Sequence, residues 1–115
     1  MIPFGGWGSD ILDGGAGDDR LIDGRGRDIL TGGPGADIFE FIADGRRDVI
    51  TDFELGIDRL DFTDYERLYS YLDLEIRSRP DGAVILIGTE KLWITSIDGQ
   101  PIDPLSWGQG DFIFG

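Results

Sequence analysis

Between residues 5 and 40 the apolar positions are sparse and strictly spaced. Leu12, Leu21, Leu30 and Phe39 recur every nine residues, and each follows an aspartate by two: Asp10, Asp19, Asp28 and Asp37. Four nonapeptides fill the block without a gap: GGWGSDILD, GGAGDDRLI, DGRGRDILT and GGPGADIFE. Each unit reads as a glycine-rich loop followed by a short strand. Side chains alternate across a strand, so positions seven and nine point one way and position eight the other; only position eight is core. A coil with two such units per turn stacks each repeat on the next but one.

The six-and-eight relationship continues in two degenerate repeats, where Asp48 precedes Ile50 and Asp58 precedes Leu60. Arg46 replaces the fourth-position glycine in the first of these, and only Gly56 survives in the second. After residue 62 the pattern changes. Thr63-Asp64-Tyr65-Glu66 is a capping box that predicts a short helix through Leu72, with Tyr65, Leu68, Tyr69 and Leu72 on one face. Alternation at Leu74-Glu75-Ile76-Arg77, a turn at Pro80-Asp81-Gly82 and the apolar run Val84-Ile85-Leu86-Ile87 predict a hairpin. A strand from Leu92 to Ile97 ends at Asp98-Gly99, Pro104-Leu105-Ser106 forms one helical turn, and DFIF at 111 to 114 is the closing strand. The expected class is all-β: a coil of nonapeptide repeats with stacked strands over residues 5 to 62, then a small, mainly antiparallel β cap with one short helix over residues 63 to 115. The cap covers the open end of the coil and blocks edge-to-edge pairing.

The repeats also carry chemistry. Glycines at positions two and four (Gly6, Gly8; Gly15, Gly17; Gly24, Gly26; Gly33, Gly35) permit positive φ and turn successive carbonyls to one side, where they face a cation. Hard Ca²⁺ takes six to eight oxygens, carboxylates among them. One loop cannot surround an ion, so a second loop stacked on it completes the shell, which pairs Asp10 with Asp28 and Asp19 with Asp37. That gives two Ca²⁺ sites. Pairing Asp28 with Asp48 and Asp37 with Asp58 in the degenerate coils raises the count to about four. Asp23 opens the third repeat in place of glycine, a mild departure if position one supplies only a carbonyl or a turn.

Metal is needed energetically. Four isolated apolar side chains stabilise much less than ordering the loops costs. Eight acidic residues in the block face only Arg20, Arg25 and Arg27, a local charge of −5. The block is therefore expected to be disordered without Ca²⁺ and to fold on binding it.

These nonapeptides resemble the repeats-in-toxin (RTX) family of exported bacterial proteins. RRDVITDFELGIDRLDF, residues 46 to 62, is similar to the segment that follows the roll in serralysin-type metalloproteases, and DFIF is similar to the final strand of that C-terminal domain. The resemblance implies a parallel β-roll, Ca²⁺ as ligand, a secreted, extracellular destination, and passage through type I secretion machinery that reads an uncleaved C-terminal signal. The opening MIPF, unlike a cleaved leader, agrees with that route. The first nonapeptide begins uncapped at Gly5, so the chain is expected to derive from a longer protein with upstream repeats or a catalytic domain.

Composition narrows the function. The 115 residues suffice for one domain, or a roll with a small cap, but not for a catalytic domain beside the repeats. A net charge of −13 and a pI near 4.1 argue against nucleic acid or an anionic membrane as partner. No apolar run is long enough to span a bilayer. Cysteine and histidine are both absent, which excludes disulfides, thiol nucleophiles, histidine triads and thiolate or imidazole zinc sites. A flexible linker does not fit phase-locked Asp and Leu. A dinucleotide fingerprint fails at Arg20, Ile29 and Ile38, where its third glycine belongs, and no EF-hand loop is present. Arg46 and Arg47 are read as partners of Asp44 or Asp48 rather than as an anion grip.

The reading that follows is a non-catalytic, calcium-responsive folding and export module of a secreted protein. Two alternatives stand beside it. One is a polysaccharide-binding accessory module of an extracellular enzyme, for which Trp7, Trp93, Trp107 or the tyrosines would stack on sugar rings; burial in the cap is the competing role for these aromatics. The other is a structural end-piece of an adhesin.

Overall fold

A computed structural model describes residues 11–22, 27–41, 48–65, 74–87 and 90–114. Every repeat strand falls where the period places it: β1 (Ile11–Asp13), β2 (Arg20–Ile22), β3 (Ile29–Thr31) and β4 (Ile38–Glu40), continued by β5 (Asp48–Phe53) and β6 (Arg59–Asp61). Odd and even strands separate into two sheets, because each repeat turns the chain from one face of the coil to the other. The pairing is parallel and in register, with Leu12 opposite Leu30, Leu21 opposite Phe39, Leu30 opposite Ile50 and Phe39 opposite Leu60. Both degenerate repeats thus continue the coil.

Burial follows the alternation. Leu21, Leu30, Phe39, Ile50 and Leu60, all at position eight, are fully buried between the sheets, and Leu12 in the first described coil is half-buried. The position-seven residues Ile11 and Ile29 are 79% and 42% exposed, although both are as apolar as the leucines beside them. Position in the strand, not residue type, decides which side chains form the core. On the outer face of the even sheet Arg20 ties three strands together: its Nη2 lies 2.5 Å from Glu40 Oε1 and also pairs with Asp61, which is buried.

The C-terminal part covers the end of the roll by extending both sheets. β7 (Glu75–Arg79), β8 (Gly82–Ile87) and β9 (Glu90–Ser96) form an antiparallel meander, and β9 joins β5 in parallel, giving the order β1-β3-β5-β9-β8-β7. β10 (Phe112–Ile113) adds in parallel to β6, giving β10-β6-β4-β2. The coil edges at β5 and β6 are covered, and the outer edge moves to β7, whose Glu75, Arg77 and Arg79 are the charged residues that discourage further pairing.

The Pro80-Asp81 hairpin and the 3₁₀ turn at Pro104–Ser106 match expectation, and Asp103 caps that turn by accepting from the Leu105 N–H. Ile97 ends the predicted strand in a turn, and Asp111 closes a second 3₁₀ turn (Gln109–Asp111) rather than opening the last strand. The helix expected from Glu66 to Leu72 lies outside the described residues. Aromatic rings fill the end of the coil: Phe53 stacks on Trp107 at 5.3 Å, Trp107 on Phe112 at 5.4 Å and Phe41 on Phe62 at 5.6 Å. Trp107 is therefore core.

Truncating a position-eight side chain should cost far more than truncating a position-seven one. Ile50→Ala is expected to lower the denaturation free energy of the calcium-saturated protein by about 2 to 5 kcal/mol, and Ile11→Ala by less than about 0.5 kcal/mol. Equal losses in urea melts would contradict the assignment of the core.

Candidate metal centre

The sixth-position aspartates stack as the repeat spacing requires. Asp37 Oδ1 accepts the Asp19 N–H, Asp48 Oδ1 that of Asp28, and Asp58 Oδ1 that of Asp37, each at 2.9 Å. The main chain repeats the link: Ile38 N–H donates to the Asp19 carbonyl at 2.8 Å, Val49 to Asp28 and Arg59 to Asp37, both at 2.9 Å. Two ladders result, Asp19-Asp37-Asp58 and Asp28-Asp48. All five side chains are buried, so like-charged groups are held in two files away from water.

The loops leading to them take the conformation that glycine permits. Gly15, Gly17, Gly33 and Gly35 all have positive φ. At Gly33 and Gly35 the coils also approach so closely that a Cβ would collide with the carbonyl oxygens of Gly15 and Gly17 beneath. Neither requirement admits another residue. Gly56 keeps the positive φ, at 87°, in the second degenerate repeat. Asp10, Gly6, Gly8, Gly24 and Gly26 lie outside the described residues.

Position one is more demanding than a mere turn. A Cβ at Gly14 would lie 2.8 Å from Asp19 Oδ2, and one at Gly32 would collide with Asp37 Oδ2, because each aspartate folds back beneath the first glycine of its own repeat. The view that this position supplies only a carbonyl or a turn is corrected for the second and fourth repeats.

Other carboxylates support the loops without a signal in the repeat consensus. Asp52 accepts the N–H groups of Gly32 and Gly33 at 2.9 and 2.8 Å, and Asp18 accepts that of Ala36 at 2.8 Å. In the coil below, Gly14 N–H finds the Thr31 carbonyl instead. Asp52 replaces a main-chain acceptor where Asp48 and Asp58 stand ten apart rather than nine. That lengthening, with an acidic residue in the added place, is the sequence clue to its role.

Whether these residues suit a cation follows from their electrostatics. Burial pushes the Asp37 carboxyl up, its hydrogen bond from Asp19 pulls it down, and the charges of Asp58, Asp19 and Asp52 push it up again, from 3.8 to about 6. Burial also raises Asp58, against its hydrogen bonds from Asp37 and Glu54. Asp37 is 1% exposed and its Oδ2 has no hydrogen-bond partner. A buried carboxylate oxygen left unsatisfied among like charges is suited to a hard cation. Among the described residues no three carboxylates converge into a metal-binding group, so main-chain carbonyls must supply the other ligands. Asp19 and Asp37 with the Gly15, Gly17, Gly33 and Gly35 carbonyls would hold Ca²⁺, which would supply the charge the file lacks.

Two outcomes follow. Gly35→Ala, which meets both strain and collision, should raise the Ca²⁺ concentration at the folding midpoint about tenfold or more, read by circular dichroism; an unchanged midpoint would contradict the packing. For pH, a carboxyl raised on folding takes up protons in the metal-free fold, which is therefore favoured in acid and loses that stability as pH rises through about 6. In excess chelator the folded fraction, read by circular dichroism, should therefore grow as pH falls from 7.5 toward 5, leaving less for Ca²⁺ to add. A metal-free signal independent of pH would mean that folding does not raise the Asp37 carboxyl.

Residues 4–39 match the RTX calcium-binding nonapeptide repeat, in four copies. Comparison with curated proteins gives no match. Among solved structures, the AlgE6R3 subunit of the Azotobacter vinelandii mannuronan C5-epimerase is similar at 27% identity and a TM-score of 0.62, over 97% of this chain and 71% of that one. Phase, parallel register and loop geometry agree with both findings: residues 4–39 are RTX repeats, which bind Ca²⁺, and the chain carries them on an RTX-type β-roll.

Proposed function

We propose that the chain is a calcium-responsive module that folds on binding Ca²⁺ outside the cell and that caps, or supports the export of, a type I secreted bacterial protein. In this reading residues 5–62 are the ion-binding roll, with sites at Asp10/Asp28 and Asp19/Asp37 and further sites where Asp28 meets Asp48 and Asp37 meets Asp58. Residues 63–115 cap it and contain the secretion signal. The module is not catalytic.

The observation that carries the reading is the buried aspartate file. Asp37 is closed off from water beside Asp19, Asp52 and Asp58, and its carboxyl is shifted to about 6. Such a fold is disfavoured at neutral pH until a cation enters, and affinity for the folded form alone becomes folding free energy. Where Ca²⁺ is scarce the chain stays open and fit for passage; where it is plentiful the coils close.

A second reading, a polysaccharide-binding accessory module, is favoured by the similarity to a subunit of a mannuronan epimerase and by Trp93, which lies half-buried on the outer face of the six-stranded sheet.

Far-ultraviolet circular dichroism should show an unordered spectrum in excess chelator and a β spectrum in millimolar Ca²⁺; identical spectra would contradict the proposal. Asp28→Ala, at the position that the proposed stacking sets between Asp10 and Asp48, should raise the folding midpoint more than Asp10→Ala, and equal midpoints would remove the Asp48 site. Residues 41 to 115 fused to a cargo should support its export through a type I system. A cargo retained in the cell would leave the chain a structural end-piece.

A further inference from the structure

The outer face of the six-stranded sheet carries a group of side chains that the calcium chemistry does not use. Val49, Trp93, Val84 and Arg77 lie side by side on β5, β9, β8 and β7, and Thr95, Gly82 and Arg79 form the next row on β9, β8 and β7. Because side chains alternate, Lys91 shares this face with Trp93 and Thr95. The opposite face of the same strands holds Ile50, Leu92, Ile94, Ala83 and Ile85 in the core.

A cavity of about 300 Å³ opens here, lined by Val49, Arg79, Asp81, Trp93, Ile94 and Thr95. In the row Thr95, Gly82, Arg79 the middle position has no side chain, and a Cβ there would collide with the Ile94 carbonyl, so β8 lies close against β9 beside the cavity. Arg79 packs over Trp93 with its guanidinium carbon 3.9 Å from the ring centroid. Arg77 and Arg79 are 65% and 38% exposed, and Lys91 is exposed. Glu75 lies 3.1 Å from Arg77 and Asp81 3.9 Å from Arg79, so three cations stand against two carboxylates. That balance is unusual in a chain with 23 acidic and 10 basic residues. The fold sets Arg79 over the indole and Arg77 and Lys91 on the same face of the sheet, in an otherwise acidic protein.

We infer that this cavity is a binding site for an anionic saccharide of the uronate class. The inference rests on the polysaccharide reading above and gives it a location and a charge. The indole with the Arg79 guanidinium stacked on it offers a flat wall to the C–H face of a sugar ring, and Arg77, Arg79 and Lys91 offer charge-assisted hydrogen bonds to a carboxylate. Thr95 and Asp81 supply a hydroxyl and an acceptor for sugar hydroxyls, so a few polar groups converge on an apolar wall as in small-ligand sites generally. Strands stand about 4.8 Å apart, close to the rise of one sugar in an extended chain, so a saccharide lying across β5, β9, β8 and β7 meets a new strand with nearly every residue. An acidic peptide would use the cations but has no pyranose face for the indole.

Calorimetry on the full chain at fixed free Ca²⁺ tests this with three probes: a hexauronate, a neutral hexasaccharide of the same linkage, and hexaglutamate. The hexauronate should bind, and the other two should bind at least tenfold more weakly. Trp93→Ala and Arg79→Gln should each weaken hexauronate binding at least fivefold without changing the calcium-folded circular dichroism. Should Trp93→Ala fail to fold, the exposed pair Arg77→Gln and Arg79→Gln decides with the same threshold. Undiminished binding in these variants would overturn the site while leaving the polysaccharide reading in place. Hexaglutamate binding as tightly would overturn the sugar class. No heat with either saccharide would overturn site and reading together.

Discussion

The whole fold depends on holding aspartates above one another between successive coils. Repeat geometry places each sixth-position carboxylate beneath the N–H of its counterpart one coil earlier, as between Asp37 and Asp19 or Asp58 and Asp37. The hydrogen bond favours the charged form, whereas burial and the neighbouring charges oppose it, and at Asp37 the opposition wins by enough to lift the carboxyl to about 6. The polypeptide alone therefore builds a file of like charges that it cannot hold comfortably at neutral pH. In the proposed reading a divalent cation resolves the conflict, and the fold becomes conditional on its supply.

Other features follow from that constraint. Loops that present carbonyls to an ion need glycine, and coils pressed together at Gly33 and Gly35 admit nothing larger. Glycine-rich loops contribute no apolar burial, so the core is reduced to one side chain in each regular repeat strand, as at Leu21, Leu30 and Phe39. The C-terminal region compensates: it continues both sheets and adds Trp107 and Phe112, which stack on Phe53 and Phe62 of the roll as an aromatic plug at the end of the coil. Arg20, reaching from β2 to Glu40 and Asp61, fastens the outer face of the even sheet.

Much of this was legible in the sequence because a strict period fixes both local conformation and long-range pairing. Once Asp and Leu are phased, strand position, sheet assignment, register and the buried side follow, even for the repeats ending at Ile50 and Leu60. Less legible was what periodicity does not encode. Asp52 takes over a main-chain acceptor only because the spacing lengthens locally, and position one matters because a side chain five residues later folds beneath it. A strand pattern in the C-terminal region showed a meander but not that β9 and β10 would each join a different sheet of the roll in parallel, since pairing partners outside a repeat carry no sequence mark. Likewise Trp93 and Trp107 look alike in sequence; one faces outward beside Arg79 and the other is core, a distinction set by strand phase and by the turn at Pro104–Ser106.

The central claim is that cations sit between stacked loops and complete the fold. A crystal structure of the chain grown in millimolar CaCl₂, with anomalous scattering to identify the ions, tests it most directly. The account predicts anomalous peaks between the Asp19 and Asp37 loops and between the Asp10 and Asp28 loops, each contacted by aspartate and glycine carbonyl oxygens. A well-ordered roll with those aspartates stacked as described and no metal between the loops would contradict it.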